Sequence, residues 1–220
     1  MTLFSMRAAL ALVLAASLAS CGGGDKETYP ITGTVTGLYY DSLVLSTGSQ
    51  TATVKSNGLD TTGVANTVNY TFPQTLSYGD PYLVALATNP PHQTCTVGQT
   101  VADSAGHTAS IAIAVACIIN SYTVSGYVHG LTAEGLQLIN GSTNGTITVT
   151  LAGVAAAVTA EAAGTITPSF TFPAVYYNQT YGVTILTQPT GQTCTVTNGN
   201  GLMQDAAIVN ISVDCVNNPT

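Results

Sequence analysis

The pentapeptide "QTCTV" stands at residues 93–97 and again at residues 192–196. The central cysteines, Cys95 and Cys194, are 99 positions apart. Neighbouring segments repeat in the same order at offsets of 93 to 100, among them "ITGTVTGL" with "VSGYVHGL" and "YTFP" with "FTFP". The chain therefore holds two copies of one module of roughly 95 residues, a usual size for a small domain.

Each copy is predicted to consist of strands, because apolar and polar residues alternate along it. In 111–117 and in 209–215, every second residue is a large aliphatic residue or a cysteine that is predicted to face the core. These residues are Ile111, Ile113, Val115, Cys117, Val209, Ile211, Val213 and Cys215. Turns rich in Asn and Gly separate such short segments, which is typical of a β-sandwich. The sequence predicts an all-β fold of two tandem β-sandwich modules, at 29–120 and 121–217.

The two copies differ most in the middle. The second has an Ala-rich segment at 152–164, where the first has "KSNGLDTTGVANT". A helical turn is one interpretation of the Ala-rich segment. We favour a long excursion between strands, because no helix caps clearly flank it.

Four of the five cysteines are expected to form disulfides. Cys95 is in phase with its apolar neighbour Val97, and Cys117 is on the core face of the last strand, so both thiols point inward. The same holds for Cys194 and Cys215. Four cysteines allow three pairings. The repeat favours Cys95–Cys117 and Cys194–Cys215, because each module is then self-contained. A metal site is the alternative, but CxxC spacing is absent, so none is predicted.

The N-terminus indicates export. An apolar run at 8–19 is too short for a permanent membrane helix but suits the core of a signal peptide, predicted at 1–20. The residues "LASC" at 18–21 resemble the lipobox of bacterial lipoproteins. That resemblance implies cleavage before Cys21, attachment of a diacylglycerol to its thiol, and anchoring to a membrane. An ordinary secreted protein with a chance cysteine is the alternative.

The same resemblance bears on location. Gly22 follows the cysteine where Asp signals retention at the inner membrane, so the outer membrane of a Gram-negative envelope is expected. Residues 21–28 form a flexible, lipidated tether. We therefore expect the protein in the bacterial cell envelope, where oxidising conditions permit disulfides.

The second copy, "TVSGYVHGLTAEGLQLINGS…FTFP…YGVTILTQPTGQTCTVTNGNG…VNISVDC", also resembles a repeat common in bacterial lipoproteins and large surface proteins. The first copy departs from it at "ATNPPHQTC", where the repeat more often has "LTQPxGQTC". The resemblance implies an immunoglobulin-like or transthyretin-like sandwich. It implies no activity, because such modules act as spacers or displays.

The charge of the chain excludes some partners. From residue 21 onward, 2 lysines face 10 acidic residues, which gives 2 − 10 = −8. Nucleic-acid binding needs clustered Lys and Arg, so no nucleic-acid partner is expected. A basic stripe for anionic lipid is also absent from the sequence.

Few residues could carry chemistry. His92, His107 and His129 follow no metal-binding spacing, and "DSAGH" at 103–107 is interpreted as a turn rather than an Asp/His pair. The sequence contains no GxSxG, HExxH or P-loop motif. We therefore predict no catalytic residues and no cofactor, and a hydrolase is the least favoured function.

Two pairs of tyrosines are candidates for ligand contact. Adjacent residues on a strand face opposite ways, so each pair is expected to place one ring in the core and one on the rim. Exposed rings beside Asn and Asp can stack on sugars. The possible contacts are Tyr39, Tyr40, Tyr176 and Tyr177, although the two pairs are expected at different places in the two modules.

The favoured function is a lipid-anchored structural or display protein of the cell envelope. The alternative is a module that binds a polysaccharide or an envelope protein through its loops or tyrosines.

Overall fold

The computed structural model describes residues 27–98, 102–141, 145–162 and 169–219. The predicted signal peptide at 1–20 and the predicted lipidation site Cys21 lie outside the described residues. Within the described ranges, the chain forms two β-rich modules that follow each other directly.

The first module contains two main sheets that face each other across a core. Its strands are β1 (Thr28–Tyr29), β2 (Ile31–Thr36), β3 (Leu43–Thr47), β4 (Gln50–Val54), β5 (Val68–Thr71), β6 (Leu76–Ser77), β7 (Pro81–Tyr82), β8 (Ala85–Thr88), β9 (Gln93–Val97), β10 (Asp103–Ser104) and β11 (Ile111–Ile119). One sheet has the order β5-β2-β11-β9 and the other β4-β3-β8. The first and last long strands, β2 and β11, pair in parallel, and the other pairs are antiparallel.

The second module repeats this plan. Its elements are β12 (Ser121–His129), β13 (Gln137–Asn140), β14 (Gly145–Thr148), α1 (Leu151–Ala162), β15 (Phe170–Tyr176), β16 (Thr180–Thr187), β17 (Gln192–Thr197), β18 (Asn200–Leu202) and β19 (Ile208–Asn217). The sheets have the orders β15-β12-β19-β17 and β14-β13-β16-β18, and β12 again pairs in parallel with β19. The predicted all-β fold of two sandwich modules is confirmed.

Each module has its own hydrophobic core. One cluster of buried side chains runs from Tyr29 to Cys117 and a second from Val124 to Cys215. Along β11, buried and exposed residues alternate from Ile111 to Cys117, as the sequence pattern predicts. This alternation puts the core-facing cysteine of β11 beside that of β9.

The prediction that Val209 faces the core is wrong, because its side chain is 51% exposed. The register of β12 and β19 shifts between the pairs Val124–Ile208 and Gly126–Ile211, so three residues of β19 oppose two of β12. Such a bulge breaks the alternation of a strand. Ile208 packs against the core instead.

The interpretation of the Ala-rich segment as an excursion without a helix is also wrong, because α1 occupies most of it. Thr150 is the N-cap, since its Oγ1 accepts from the backbone N–H of Gly153 at 3.1 Å. Alanine has the highest helix propensity, and Val154 and Ala157 give the helix a buried face. The cap and the propensity together account for the helix.

Both predicted disulfides are present, Cys95–Cys117 and Cys194–Cys215. In each module, the two cysteines are directly opposite each other on antiparallel strands. Their Cα atoms are 4.0 and 3.9 Å apart, below the usual range for disulfides. The separation resembles the roughly 4.5 Å of directly opposite residues that exchange no backbone hydrogen bonds.

The glutamine of each QTCTV segment explains why the repeat extends beyond the cysteine. Gln93 is 2% exposed, and its Oε1 accepts from the backbone N–H groups of Tyr39 and Tyr40 at 2.8 and 3.0 Å. Its Nε2 donates to the carbonyl of Gly37 at 2.6 Å. This buried amide therefore closes the loop that follows β2.

Gln192 does the same in the second module. It is 3% exposed, accepts from the N–H groups of Thr132 and Ala133 at 2.8 and 3.1 Å, and donates to the carbonyl of Gly130 at 2.8 Å. The glycine is required as well, because Gly130 has φ +70° and a Cβ there would collide with the carbonyl of Cys215. The segments "GL" and "QTC" thus repeat together because the glutamine of one is hydrogen-bonded to the glycine of the other in each module.

Candidate functional site

The two modules are connected by Asn120 alone, the one residue between β11 and β12. Its backbone N–H donates to the carbonyl of His92 in the first module at 2.8 Å, and its carbonyl accepts from the N–H of Tyr177 in the second at 2.8 Å. Its side-chain Oδ1 accepts from the hydroxyl of Thr94 at 2.8 Å. The connecting residue is therefore hydrogen-bonded to both modules.

Four side chains meet beside this connection, and we call them the junction cluster: Tyr40 and His92 from the first module, Tyr177 and Asp205 from the second. The rings of His92 and Tyr177 are stacked, with centroids 3.7 Å apart and planes 2° apart. Tyr40 meets both rings edge-on, with centroids 5.3 and 6.1 Å away. His92 Nδ1 lies 2.5 Å from Asp205 Oδ2.

The electrostatics of the cluster follow from partial burial. The side chains of His92 and Asp205 are 28% and 46% exposed, so solvent screens the pair and it contributes about 0–1 kcal/mol. Burial raises the pKa of Tyr40, and the nearby Tyr177 and Asp205 raise it further. Tyr40 therefore stays a neutral phenol. Ring contacts and hydrogen bonds, more than net charge, hold the two modules in contact.

The first copy departs from the repeat at His92, which occupies a backbone position that favours glycine. His92 has φ +60°, in the left-handed region that most side chains avoid. The corresponding residue of the second module, one position before Gln192, is Gly191 with φ +72°. A histidine here accepts backbone strain of about 1–3 kcal/mol and supplies an imidazole that reaches the other module.

The structure brings the two predicted tyrosine pairs together at the junction. The pairs occupy different places in the two modules, as expected, since one comes after β2 and the other is at the end of β15, and yet Tyr40 and Tyr177 are in ring contact. The expectation of one core ring per pair is wrong: Tyr39, Tyr40 and Tyr177 are partly exposed and Tyr176 is 51% exposed. Both pairs are near strand ends, and for Tyr40 and Tyr177 packing on the neighbouring module replaces burial in a core.

Tyr39 and Tyr176 line a cleft of about 420 Å³ beside the junction cluster. Ile118, which is 67% exposed, and Gln179 contribute an apolar surface and an amide to the same cleft. Tyr177 also lines the cleft, but its ring is stacked on His92, and Tyr40 contacts His92 as well. Of the four rings, those of Tyr39 and Tyr176 are therefore the most available to a ligand.

A second histidine–carboxylate contact lies at the far end of the first module. His107 Nδ1 is 3.0 Å from Asp103 Oδ1, and the side chain of His107 is 79% exposed. The backbone N–H of Ser104 lowers the pKa of Asp103, and His107 adds to the effect. The segment predicted as a turn begins as the short strand β10 and turns at Ala105 and Gly106. This contact caps that turn.

Sequence reasoning missed His92 and Asp205 as junction residues. The signal for His92 was visible, since a histidine in "PPHQTC" replaces the glycine of "PTGQTC". No comparable signal marks Asp205, because its role depends on how the two modules meet.

Both disulfides indicate an extracytoplasmic location, because such bonds persist in oxidising compartments. In the described part of the chain, no helix has the length and apolar character needed to cross a bilayer. Lipidation of Cys21 remains a prediction.

No protein-family model matches the chain, and no curated protein is similar to it in sequence. Among solved structures, it is similar to the TIE protein of Bacillus anthracis, with 10% identity and a TM-score of 0.41 over 86% of this chain. This chain spans 34% of that protein, about a third of its length. It is also similar to the major pilin protein of Streptococcus pyogenes, with 13% identity and a TM-score of 0.28, covering 88% of this chain and 98% of the other. At these values the likeness concerns the fold alone.

Proposed function

We propose that the protein is a lipid-anchored spacer or display protein of the bacterial cell envelope, without enzymatic activity. The observation that carries the proposal is the junction, where one connecting residue is bonded to both modules. Two sandwiches joined in this way form a stiff unit. A flexible linker would instead let each module move separately.

Position in the envelope is supported by the N-terminal sequence. The "LASC" segment at 18–21 provides a lipidation site, and residues 21–28 provide a short tether to the first module. Two or three acyl chains hold a protein stably at a membrane, whereas one is marginal. The outer membrane is the proposed location if the source is Gram-negative.

Labelled palmitate tests the anchor. In a bacterium that expresses the protein, we expect the label in the mature chain, loss of residues 1–20, and recovery in the membrane fraction. A Cys21→Ser protein should carry no label and leave that fraction. Persistent labelling and membrane recovery of Cys21→Ser would show that the anchor is elsewhere.

The stiffness of the junction is tested with His92→Gly. This change removes the ring contacts of His92 and its contact with Asp205 while giving the backbone the residue that the second module has. We expect the two modules to tumble more independently, measured as a shorter apparent rotational correlation time by ¹⁵N relaxation. His129→Ala, an exposed change on β12, is the matched control. Unchanged correlation times in His92→Gly would show that the bonds of Asn120 suffice to hold the modules, whereas modules that already tumble independently in the unaltered protein would contradict the spacer role.

A second candidate function is binding of a polysaccharide or an envelope protein in the cleft beside the junction. It is favoured by one observation, the two partly free rings of Tyr39 and Tyr176 on its walls. Tyrosine rings stack on apolar ligand faces while their hydroxyls remain available for hydrogen bonds. Retention on purified envelope polysaccharide that a Tyr39→Ala, Tyr176→Ala protein loses would support it.

A further inference from the structure

The turn between β6 and β7 corresponds to the turn between β15 and β16. Gly79 donates to the carbonyl of Ala105 at 2.8 Å, and Asn178, 99 positions later, donates to that of Met203 at 3.0 Å. Both turn residues have positive φ, +85° and +64°. The residue before each of them is a tyrosine. Tyr78 is therefore the counterpart of Tyr177 in the first module.

The two rings have different surroundings. Tyr177 is covered by His92 of the neighbouring module. Tyr78 is 74% exposed, and its ring lies over the backbone of Gly106, where an added Cβ would collide with it. The same end of the fold thus contacts a neighbour in the second module and presents a bare aromatic ring in the first.

The chain enters the first module at this end. The first strand, β1, pairs with β6, and Ser77, which pairs with Thr28, directly precedes Tyr78. Residues 22–27 separate this strand from Cys21, the predicted lipid attachment site, and the seven Cα steps from Cys21 to Thr28 span at most about 25 Å. An anchored protein would therefore keep the Tyr78 turn close to the bilayer surface.

We propose that the face formed by the Tyr78 turn rests on the headgroup region of the membrane, with Tyr78 as the residue that enters it. This inference rests on the proposed lipid anchor. Tyrosine suits the interface because its ring is apolar and its hydroxyl is hydrated. Asp80 is in the turn, and Asp103 and His107 are in the adjoining strand and loop. The carboxylates make a zwitterionic surface the expected partner, because anionic lipid would be repelled.

A single tryptophan tests the proposal, because the chain has none. The protein begins at Cys21 and is coupled through that thiol to a maleimide phospholipid in phosphatidylcholine vesicles that contain headgroup-labelled nitroxide lipid. We expect Tyr78→Trp to lose emission in these vesicles relative to vesicles without nitroxide. Tyr176→Trp, an exposed tyrosine at the junction, is the matched control and should keep its emission.

Hydrogen exchange provides a readout without substitution. In the anchored, unaltered protein, amides of 77–80 should exchange more slowly than in the protein free in solution, while those of 176–179 should not change. Equal quenching in both variants, or no quenching of Tyr78→Trp, overturns the proposal. A blue shift of Tyr78→Trp that depends on protein concentration without vesicles also overturns it, in favour of a second copy at this face.

Failure of this proposal and failure of the proposed anchor are distinguishable. The synthetic coupling supplies the anchor, so absent quenching together with palmitate labelling contradicts only the role of Tyr78. Absent palmitate labelling contradicts the proposed function whatever the vesicles show.

Discussion

The two modules share the interior of their fold and differ where they meet other surfaces. Each has a buried glutamine that closes the loop after its first long strand, and each has one cross-strand disulfide. In contrast, the residue before that glutamine is His92 in one module and Gly191 in the other. The shared residues hold the module together, and the differing residue joins it to its neighbour.

The ends of the modules show the same contrast. At Asn120, the bonds to His92 and Thr94 are accompanied by a bond to the second module. Asn218 repeats the first two, to Gly191 at 2.9 Å and to Thr193 at 2.6 Å. The hydrogen bonds around the end of the last strand are thus present in both modules, whereas the aromatic contacts are described at the junction.

Loss of a disulfide is expected to have the largest effect on this comparison. Cys95→Ala with Cys117→Ala should lower the free energy of unfolding of the first module by about 2–5 kcal/mol, because the unfolded chain is no longer cross-linked. The second module should change little, since the cores are separate. Hydrogen exchange in denaturant, read for each module, measures both, and Cys194→Ala with Cys215→Ala should give the mirror result. Equal loss in both modules would mean that they unfold as one unit.

Replacement of the buried glutamines is expected to have the second-largest effect on the stability of each module. Gln93→Leu leaves buried backbone groups of the loop after β2 without their amide partner, and an unsatisfied buried group costs about 1–3 kcal/mol. Gln192→Leu should destabilise the second module by a similar amount. Thr96→Ala, an exposed change on the same strand, is the control and should have little effect. Hydrogen exchange in denaturant again reports the stability of each module. Destabilisation of the second module by Gln93→Leu, or of the first by Gln192→Leu, would contradict the equivalence of the two glutamines.

The interior of the modules could be predicted from sequence because its rules are local. The alternation in 111–117 places Cys117 in the core whatever the rest of the chain does, and the repeat then selects its partner. The bulge that exposes Val209 could not be predicted, because it depends on the register between two strands far apart in sequence. Helix α1 was missed because a single threonine, Thr150, supplies its cap.

The junction could not be predicted for a different reason. Stacking of His92 on Tyr177 depends on the relative position of two bodies, which no strand pattern encodes. The sequence singles out the two tyrosine pairs as candidates, but their contact depends on the orientation that the connection at Asn120 gives to the two modules. The histidine at a position that favours glycine is the local sign in the sequence that this loop contacts the other module.

The smallest expected effect concerns the hydroxyl by which Tyr70 differs from Phe170, its counterpart in the second module. Tyr70 is buried, and its hydroxyl donates to the carbonyl of Ile113 at 2.8 Å. Burial raises the pKa of Tyr70 to about 12. Tyr70→Phe should cost the first module about 1 kcal/mol at neutral pH, the usual contribution of one hydrogen bond.

The raised pKa of Tyr70 also predicts how the stability of the first module changes at alkaline pH. An unfolded tyrosine titrates near pH 10, and the folded pKa of Tyr70 is about 12. The stability from the neutral phenol is therefore complete below about pH 10 and is lost as the pH rises through about 12. Urea unfolding at a series of alkaline pH values should show the first module weakening over this range in the unaltered protein and less in Tyr70→Phe. If both proteins weaken equally, Tyr70 does not ionise on unfolding in this range, and the hydroxyl acts through its hydrogen bond alone.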